Sequence, residues 1–273
     1  MKKLLKIGIV GCGAIGTSLA RAVVSDFSAE TQLTSLYDIA IEKAHKLASK
    51  FNNHRLVVLS LEDLINKVDL VIEATRLEDA FNIAKKSIGA SRDIMIMSVG
   101  GIVQYFKELE ILAKEKNARI FIPSGAVCGI DGLKAASRGK INKVTLTTRK
   151  PPQAFFGVPY VVKKKISLAN IKEDLVLFEG DANKAISSFP QNINVAATLS
   201  LAGIGPKHTI VRIIASPNIT QNIHEIEVES DAGKIITRTE NVIHPDNPKT
   251  SYMAVLSAIA TLKQILEPIK IGT

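Results

Sequence analysis

Cysteine is scarce in this chain: only Cys12 and Cys128 occur among 273 residues. Neither belongs to a C-x-x-C pair, and no second Cys/His cluster with zinc spacing accompanies them. A disulfide framework and a zinc site are therefore excluded, no metal is expected, and both thiols read as reduced. Long hydrophobic runs are also missing, since none reaches the ~18–20 residues that a bilayer-spanning helix needs. The basic start followed by Leu4–Val10 imitates a signal peptide, but Gly8 cuts the run and it opens into Gly11 and Gly13. It reads better as a first buried strand, so a cytoplasmic protein with no membrane partner is expected. Internal repeats and low-complexity segments are lacking as well. The formal net charge is +9, yet the lysines are scattered and Lys163-Lys164-Lys165 has no aromatic interleaving. That pattern is a solvated basic surface that favours anionic small molecules; no nucleic-acid partner is expected.

What the chain does have is length and apolar content. With 46% hydrophobic residues it can fill more than one small core. Strand-like and helix-like segments alternate through the first part. Leu4–Val10, Leu33–Tyr37, Leu56–Leu59, Leu70–Ile72, Ile94–Met97 and Ile120–Ile122 read as strands. Thr17–Phe27, Ile41–Phe51, Asp79–Ser87 and Ile102–Lys116 read as helices, and Ser60 with Asp63 three residues on looks like an N-cap. Near-continuous apolar strands separated by helices imply a parallel sheet covered on both faces, with right-handed crossovers.

After Pro123 the pattern changes. Val144–Thr148 alternates as a strand until Pro151-Pro152 interrupts it. Lys184–Phe189 and Val195–Ala202 look helical. Thr209–Ala215, Ile223–Glu229 and Lys234–Thr239 form three extended segments, the last two joined by a turn at Asp231-Ala232-Gly233. This is a smaller α+β unit with a mostly antiparallel sheet. Asn247-Pro248 supplies a cap and first-turn proline for a final helix running to about Leu266.

Gly11-Cys12-Gly13-Ala14-Ile15-Gly16 matches G-x-G-x-x-G. The first glycine allows a tight turn, the second lets backbone approach a pyrophosphate, and the third lets helix and strand pack closely. N–H groups at the helix start, with the helix dipole, hold phosphates. The motif gains weight from context: a buried strand precedes it, a helix follows, and Asp38 ends the next strand. A carboxylate there accepts hydrogen bonds from a ribose 2′-OH and repels a 2′-phosphate, which favours NAD over NADP; a turn residue is the plainer account of Asp38. The fold class expected is thus α/β, a Rossmann doubly wound parallel sheet plus the smaller α+β domain. Gly11, Gly13, Ala14, Ile15, Gly16 and Asp38 are the cofactor-binding set. Thr75 and the Gly100-Gly101 backbone, at carboxyl ends of strands, are placed on the nicotinamide-ribose side, although ordinary strand-end turns account for them equally well.

Five later stretches carry a more specific signal. They are Pro123-Ser124-Gly125-Ala126-Val127-Cys128-Gly129-Ile130-Asp131-Gly132-Leu133-Lys134, Arg149-Lys150-Pro151-Pro152, Asn192-Ile193-Asn194-Val195-Ala196-Ala197-Thr198, Asn222-Ile223-His224-Glu225-Ile226 and Asn247-Pro248-Lys249-Thr250-Ser251-Tyr252. In this order, behind a Rossmann half, they resemble the L-aspartate dehydrogenase family over nearly the whole chain. The resemblance implies NAD(P)-dependent oxidation of L-aspartate to iminoaspartate, which is hydrolysed to oxaloacetate and ammonia or passed toward NAD biosynthesis. It implies that His224 is catalytic and that Ala126 and Asn194 contact the cofactor. It implies a last helix that packs back on the Rossmann domain. The domains expected are then 1–122 with 246–273, for the dinucleotide, and 123–245, for substrate and dimerisation. Some members of the family accept both cofactors, so NADP stays admissible beside NAD.

Among the residues themselves, period-two alternation puts His224, Ile226 and Val228 on one face and Glu225, Glu227 and Glu229 on the other. A satisfied core histidine is the plainer account of His224 from its strand alone; the resemblance tips the reading to acid–base chemistry. An aspartate ligand needs cations, for which Lys150, Lys134, Arg149, Lys249 and Arg212 are the candidates. Lys150 ranks first because Pro151-Pro152 stiffens the chain behind it, and Ser124 can add a hydroxyl. An N-cap is the alternative for Asn194. A homodimer is expected, because a sheet of three strands leaves a face or edge to cover. Two other functions remain open: another NAD(P)-dependent imine or semialdehyde reductase, and a non-catalytic NAD(H)-binding protein.

Overall fold

The computed structural model describes residues 3–189, 193–244 and 247–272. The chain divides into two compact units, Met1–Pro123 with Ala258–Ile269, and Ser124–Ser257 with Lys270–Thr273. The return to the first unit therefore comes at Ala258, later than the expected 246.

In the first unit the order is β1 (Leu5–Val10), α1 (Ala14–Ser25), β2 (Thr31–Tyr37), α2 (Ile41–Ser49), α3 (Leu61–Lys67), β3 (Leu70–Glu73), α4 (Leu77–Gly89), β4 (Asp93–Ile96), α5 (Phe106–Lys116) and β5 (Ile120–Phe121). The strands form a parallel sheet in the order β2-β1-β3-β4-β5 among the described residues. The chain reverses its winding between β1 and β3, and the carboxyl edge beside such a switch point is where open α/β sheets bind ligands. All four residues of β3 are buried, as expected of a parallel strand covered on both faces. Ile7, Ile9, Leu36, Leu70, Ile72 and Met95 form the core with Leu19 and Leu47 from the helices, and Ala258 and Leu262 join them. Ser60 caps α3, its hydroxyl accepting from Asp63 N–H at 3.1 Å.

Two expectations here are corrected. Leu56–Leu59 is not a strand: a 3-10 turn covers His54–Leu56, Val57 makes a lone bridge to Leu36, and Leu59 is exposed. The stretch read as helix from Ile102 opens with a 3-10 turn at Val103–Tyr105, just after another at Val99–Gly101, and α5 begins at Phe106.

The second unit contains α6 (Ile130–Ala136), β6 (Ile141–Lys150), α7 (Pro159–Lys163), β7 (Leu175–Asp181), α8 (Ala182–Ser188), α9 (Asn194–Ala202), β8 (Thr209–Ala215), β9 (Asn222–Ser230), β10 (Gly233–Asn241), β11 (Ile243–His244) and β12 (Asn247–Ser251). Helix α10 (Tyr252–Leu266) starts here and ends in the first unit. The main sheet runs β10-β9-β6-β8-β7, antiparallel except for β6 beside β8. It has five strands among the described residues, not three, because β7 and β6 join the expected set. One face carries the buried Val144, Leu146, Val211, Ile213, Ile226 and Val228. Phe155, Tyr160, Phe178 and Phe189 pack their rings together in the same unit.

The expected cap at Asn247-Pro248 is also corrected. These residues lie in β12, paired antiparallel with β11, and the helix starts five residues later at Tyr252. A proline is tolerated on an edge strand, where its missing N–H costs no ladder bond. His244 is buried in β11 with its ring 5.5 Å from that of Tyr252.

Candidate active site

The glycine turn has the shape its spacing implies. Gly11 adopts φ +94°, a conformation that side chains disfavour. A Cβ on Gly16 would fall 1.9 Å from Gly11 O, so only glycine lets α1 pack onto the turn. Beside Gly13 a Cβ would meet nothing within 4 Å, so the backbone there is bare and open to a ligand. Asp38, half-buried at the end of β2, braces this turn. Its Oδ2 accepts from Cys12 N–H at 2.8 Å and its Oδ1 from Ala40 N–H at 2.9 Å. Cys12 itself is buried, and burial pushes its thiol up to about 12, with the nearby Asp38 carboxylate adding to the shift. It is an inert thiol, not a nucleophile. Thr75 is half-buried, with its methyl near the position a Gly11 Cβ would take. A bare backbone, a tight turn and a fixed carboxylate at the strand edge fit a dinucleotide.

The second unit holds a separate cluster. Thr148 and His224 are register partners across β6 and β9, both buried, with Oγ1 of Thr148 2.9 Å from Nδ1 of His224. Lys150 lies two residues past Thr148 and so projects to the same face. Burial lowers the His224 imidazole to about 3, and the Lys150 ammonium adds to the shift. Burial alone brings Lys150 down to about 8. The cluster thus pairs a neutral imidazole with an amine that is mostly cationic at neutral pH. Arg149 and Arg212 are corrected as substrate cations, because they belong to the opposite face. Arg149 pairs with Glu225 and Asp174, and Arg212 with Glu179. Alternation along the strands separates them from Lys150. Lys134 is half-buried on α6, and the side chain of Lys249 is outside those described.

Edge strand β10 holds the loop after Pro123. Thr239, the register partner of His224, donates to Ala126 O at 3.0 Å, and Asn241 donates to the same oxygen at 2.9 Å. Thr237 donates to Cys128 O at 3.3 Å, and Gly125 N–H donates to Ser257 Oγ at 3.0 Å. The Ala126 segment is thereby tied to the strand beside His224. Ser124 is half-buried at the head of this loop. Asn194 is exposed and is the first residue of α9; Ile193 occupies the cap position, so the N-cap alternative does not hold. Asn192 lies outside the described residues.

Residues 131–265 match the family described as aspartate dehydrogenase, C-terminal. Residues 11–123 match that described as homoserine dehydrogenase, NAD binding domain. An L-aspartate dehydrogenase of Methanosarcina mazei is 47% identical over 99% of this chain and 100% of its own length. One from Methanosarcina acetivorans is 48% identical with the same coverage. The chain belongs to the L-aspartate dehydrogenase family. The crystal structure of the Thermotoga maritima aspartate dehydrogenase superposes with a TM-score of 0.74 at 25% identity, covering 99% of this chain and all of that one. Family membership makes the chain an enzyme, an oxidoreductase that uses a nicotinamide cofactor. Among the described residues no helix is long and apolar enough to cross a membrane, and no group of three or more His, Cys, Asp or Glu could hold a metal ion.

Within this family framework, sequence reading missed three groups of residues. Thr148 shares a face with Lys150, two positions on, a signal the alternation already carried. Thr237, Thr239 and Asn241 repeat a polar side chain at every second position of a strand. Glu73 ends an otherwise apolar strand.

Proposed function

We propose that the chain oxidises L-aspartate with NAD in preference to NADP, giving iminoaspartate that is hydrolysed to oxaloacetate and ammonia or consumed in NAD biosynthesis. The observation that carries this reading is the Thr148–His224–Lys150 cluster on one buried sheet face. Gly11, Gly13, Ala14, Ile15, Gly16, Asp38 and Thr75 hold the dinucleotide, and Ala126 and Asn194 add contacts to it. When bound, the nicotinamide supplies the hydride acceptor.

The chain's own groups do the rest. Lys150, with Ser124, seats a substrate carboxylate by a charge-assisted bond. That carboxylate cancels the ammonium's field at His224, the second cause of its depressed basicity. The imidazole thus becomes a better base only when substrate is in place. With Nδ1–H donating to Thr148, Nε2 is left to accept a proton. It takes one from the substrate nitrogen as Cα loses hydride, which forms the C=N bond. The same nitrogen later serves water attacking that bond. In this reading the second unit also mediates a homodimer in the cytoplasm. The exposed Val176 and Ile236 on its outward sheet face are apolar surface for such a contact.

Purified protein incubated with L-aspartate and either nucleotide tests the proposal. Nicotinamide reduction that depends on L-aspartate is the expected result. Absence of turnover with both nucleotides, and of NADH oxidation by oxaloacetate plus ammonium, would sink it.

A further inference from the structure

Glu73 is fully buried at the carboxyl end of β3, and the reaction proposed above makes no use of it. Its two oxygens each take two donors. Oε1 accepts from Thr75 N–H at 2.6 Å and from Thr75 Oγ1–H at 2.7 Å. Oε2 accepts from Ser98 N–H at 2.9 Å and Met97 N–H at 3.2 Å. Ser98 Oγ closes the ring by donating to Thr75 O at 2.9 Å. The strands do not need this side chain to pair. Met97 N–H already donates to the backbone oxygen of Glu73 at 3.0 Å, as the parallel ladder requires. What the carboxylate adds is a clip between the loop after β3 and the loop after β4.

Those loops are packed against the glycine turn with no slack. A Cβ on Gly11 would fall 2.3 Å from Ala74 O, and one on Gly101 would fall 2.0 Å from Leu77 O. A displacement of residues 74–77 would push on both the glycine turn and the segment after β4. These are the loops at the carboxyl edge beside the β1/β3 switch point, where the cofactor is received.

We infer that Glu73 is a positioning residue for the nicotinamide nucleotide, its carboxylate holding the loops after β3 and β4 in the shape that the glycine turn and cofactor require. The inference rests on the family's nicotinamide cofactor and is independent of which amino acid is oxidised. An apolar residue at 73 would satisfy the sheet, and Met97 N–H would keep its backbone acceptor, but the N–H groups of Thr75 and Ser98 and the Thr75 hydroxyl would lose the carboxylate. A glutamine keeps the size and turns one end into a donor: an NH2 facing Met97 and Ser98 loses both bonds there, and one facing Thr75 loses the bond from its N–H while the hydroxyl turns to accept.

The test is calorimetric titration of the full chain with NAD+ and NADH, beside steady-state kinetics. For Glu73→Gln the dissociation constants of both nucleotides should rise about tenfold, the scale of one charge-assisted hydrogen bond. KM for L-aspartate at saturating nucleotide should stay unchanged. A purely structural role would lower the melting temperature and leave the dissociation constants alone, and that result overturns the inference. If Glu73→Gln does not fold, Glu73→Asp decides, because it keeps the charge but shortens the reach between the two loops. A rise of about threefold is then expected, and unchanged affinity overturns the inference. Wild-type protein that bound neither nucleotide would overturn the cofactor assignment itself.

Discussion

Thr148 and His224 stand opposite each other across two antiparallel strands, and the threonine hydroxyl is 2.9 Å from the ring nitrogen Nδ1. This contact fixes the ring's orientation and, on the proposed mechanism, its tautomer. Thr148→Val keeps the shape and deletes the hydroxyl. kcat should fall about tenfold to a hundredfold, the cost of losing an orienting partner. Nucleotide affinity should be unchanged, because the hydroxyl is engaged with His224 and is not among the groups assigned to the cofactor. Thr148→Ser should restore most of kcat. Equal kcat in all three proteins would show that the hydroxyl has no part in the chemistry.

Lys150 gives a pH signature. Burial brings its ammonium down to about 8, so the cation that seats a carboxylate is present below that pH and lost above it. Succinate is a suitable probe, since it has two carboxylates and no amine to titrate. Its inhibition constant against L-aspartate should be flat below pH ~8 and rise toward tenfold per unit above it. Lys150→Gln should weaken succinate throughout and abolish the alkaline rise. A wild-type constant that stays flat well into alkaline pH would remove Lys150 from the substrate site.

Much of this arrangement was legible beforehand. β9 was visible because strict alternation needs no partner to be recognised, β8 because it is a run rich in β-branched residues, and the glycine turn because its spacing answers to one backbone geometry. β7 was not. Its register slips between Val176 and Phe178, and a bulge breaks the period that identifies a strand. β12 was hidden behind a proline that serves helix starts and strand edges alike. In the site, His224 and Lys150 could be named as chemical types. Thr148 could not: a hydroxyl on a β-branched strand residue looks ordinary, and its partner is 76 positions away in sequence.

His224 also marks the acid limit of stability. Its imidazole is lowered by burial from 6.5 to about 3, so between those values the unfolded chain holds a proton that the folded chain does not. Unfolding free energy therefore rises with pH across this window and is lost as pH falls below 6.5. The contribution is about 1.4 kcal/mol per pH unit for one group. Denaturant melts of wild type and His224→Asn between pH 7 and pH 5 check it. The variant should lose less stability than wild type over that interval. Parallel losses would mean that the imidazole reaches solvent.

Asp38 is the residue on which cofactor choice turns. Its carboxylate is committed on both oxygens to backbone N–H groups of Cys12 and Ala40, each with lone pairs to spare for a ribose. Asp38→Ala therefore has two effects. It loosens the glycine turn, which weakens NAD and NADP alike, and it removes the charge that repels a 2′-phosphate and the acceptor that holds a 2′-hydroxyl. The common loss cancels in the ratio of kcat/KM for NAD to kcat/KM for NADP, so the ratio isolates the ribose end. It should fall about tenfold or more, the worth of one charge-assisted contact. If both specificity constants dropped together with the ratio intact, Asp38 would be a brace for the turn alone, and the preference for NAD would have to arise elsewhere in the first unit.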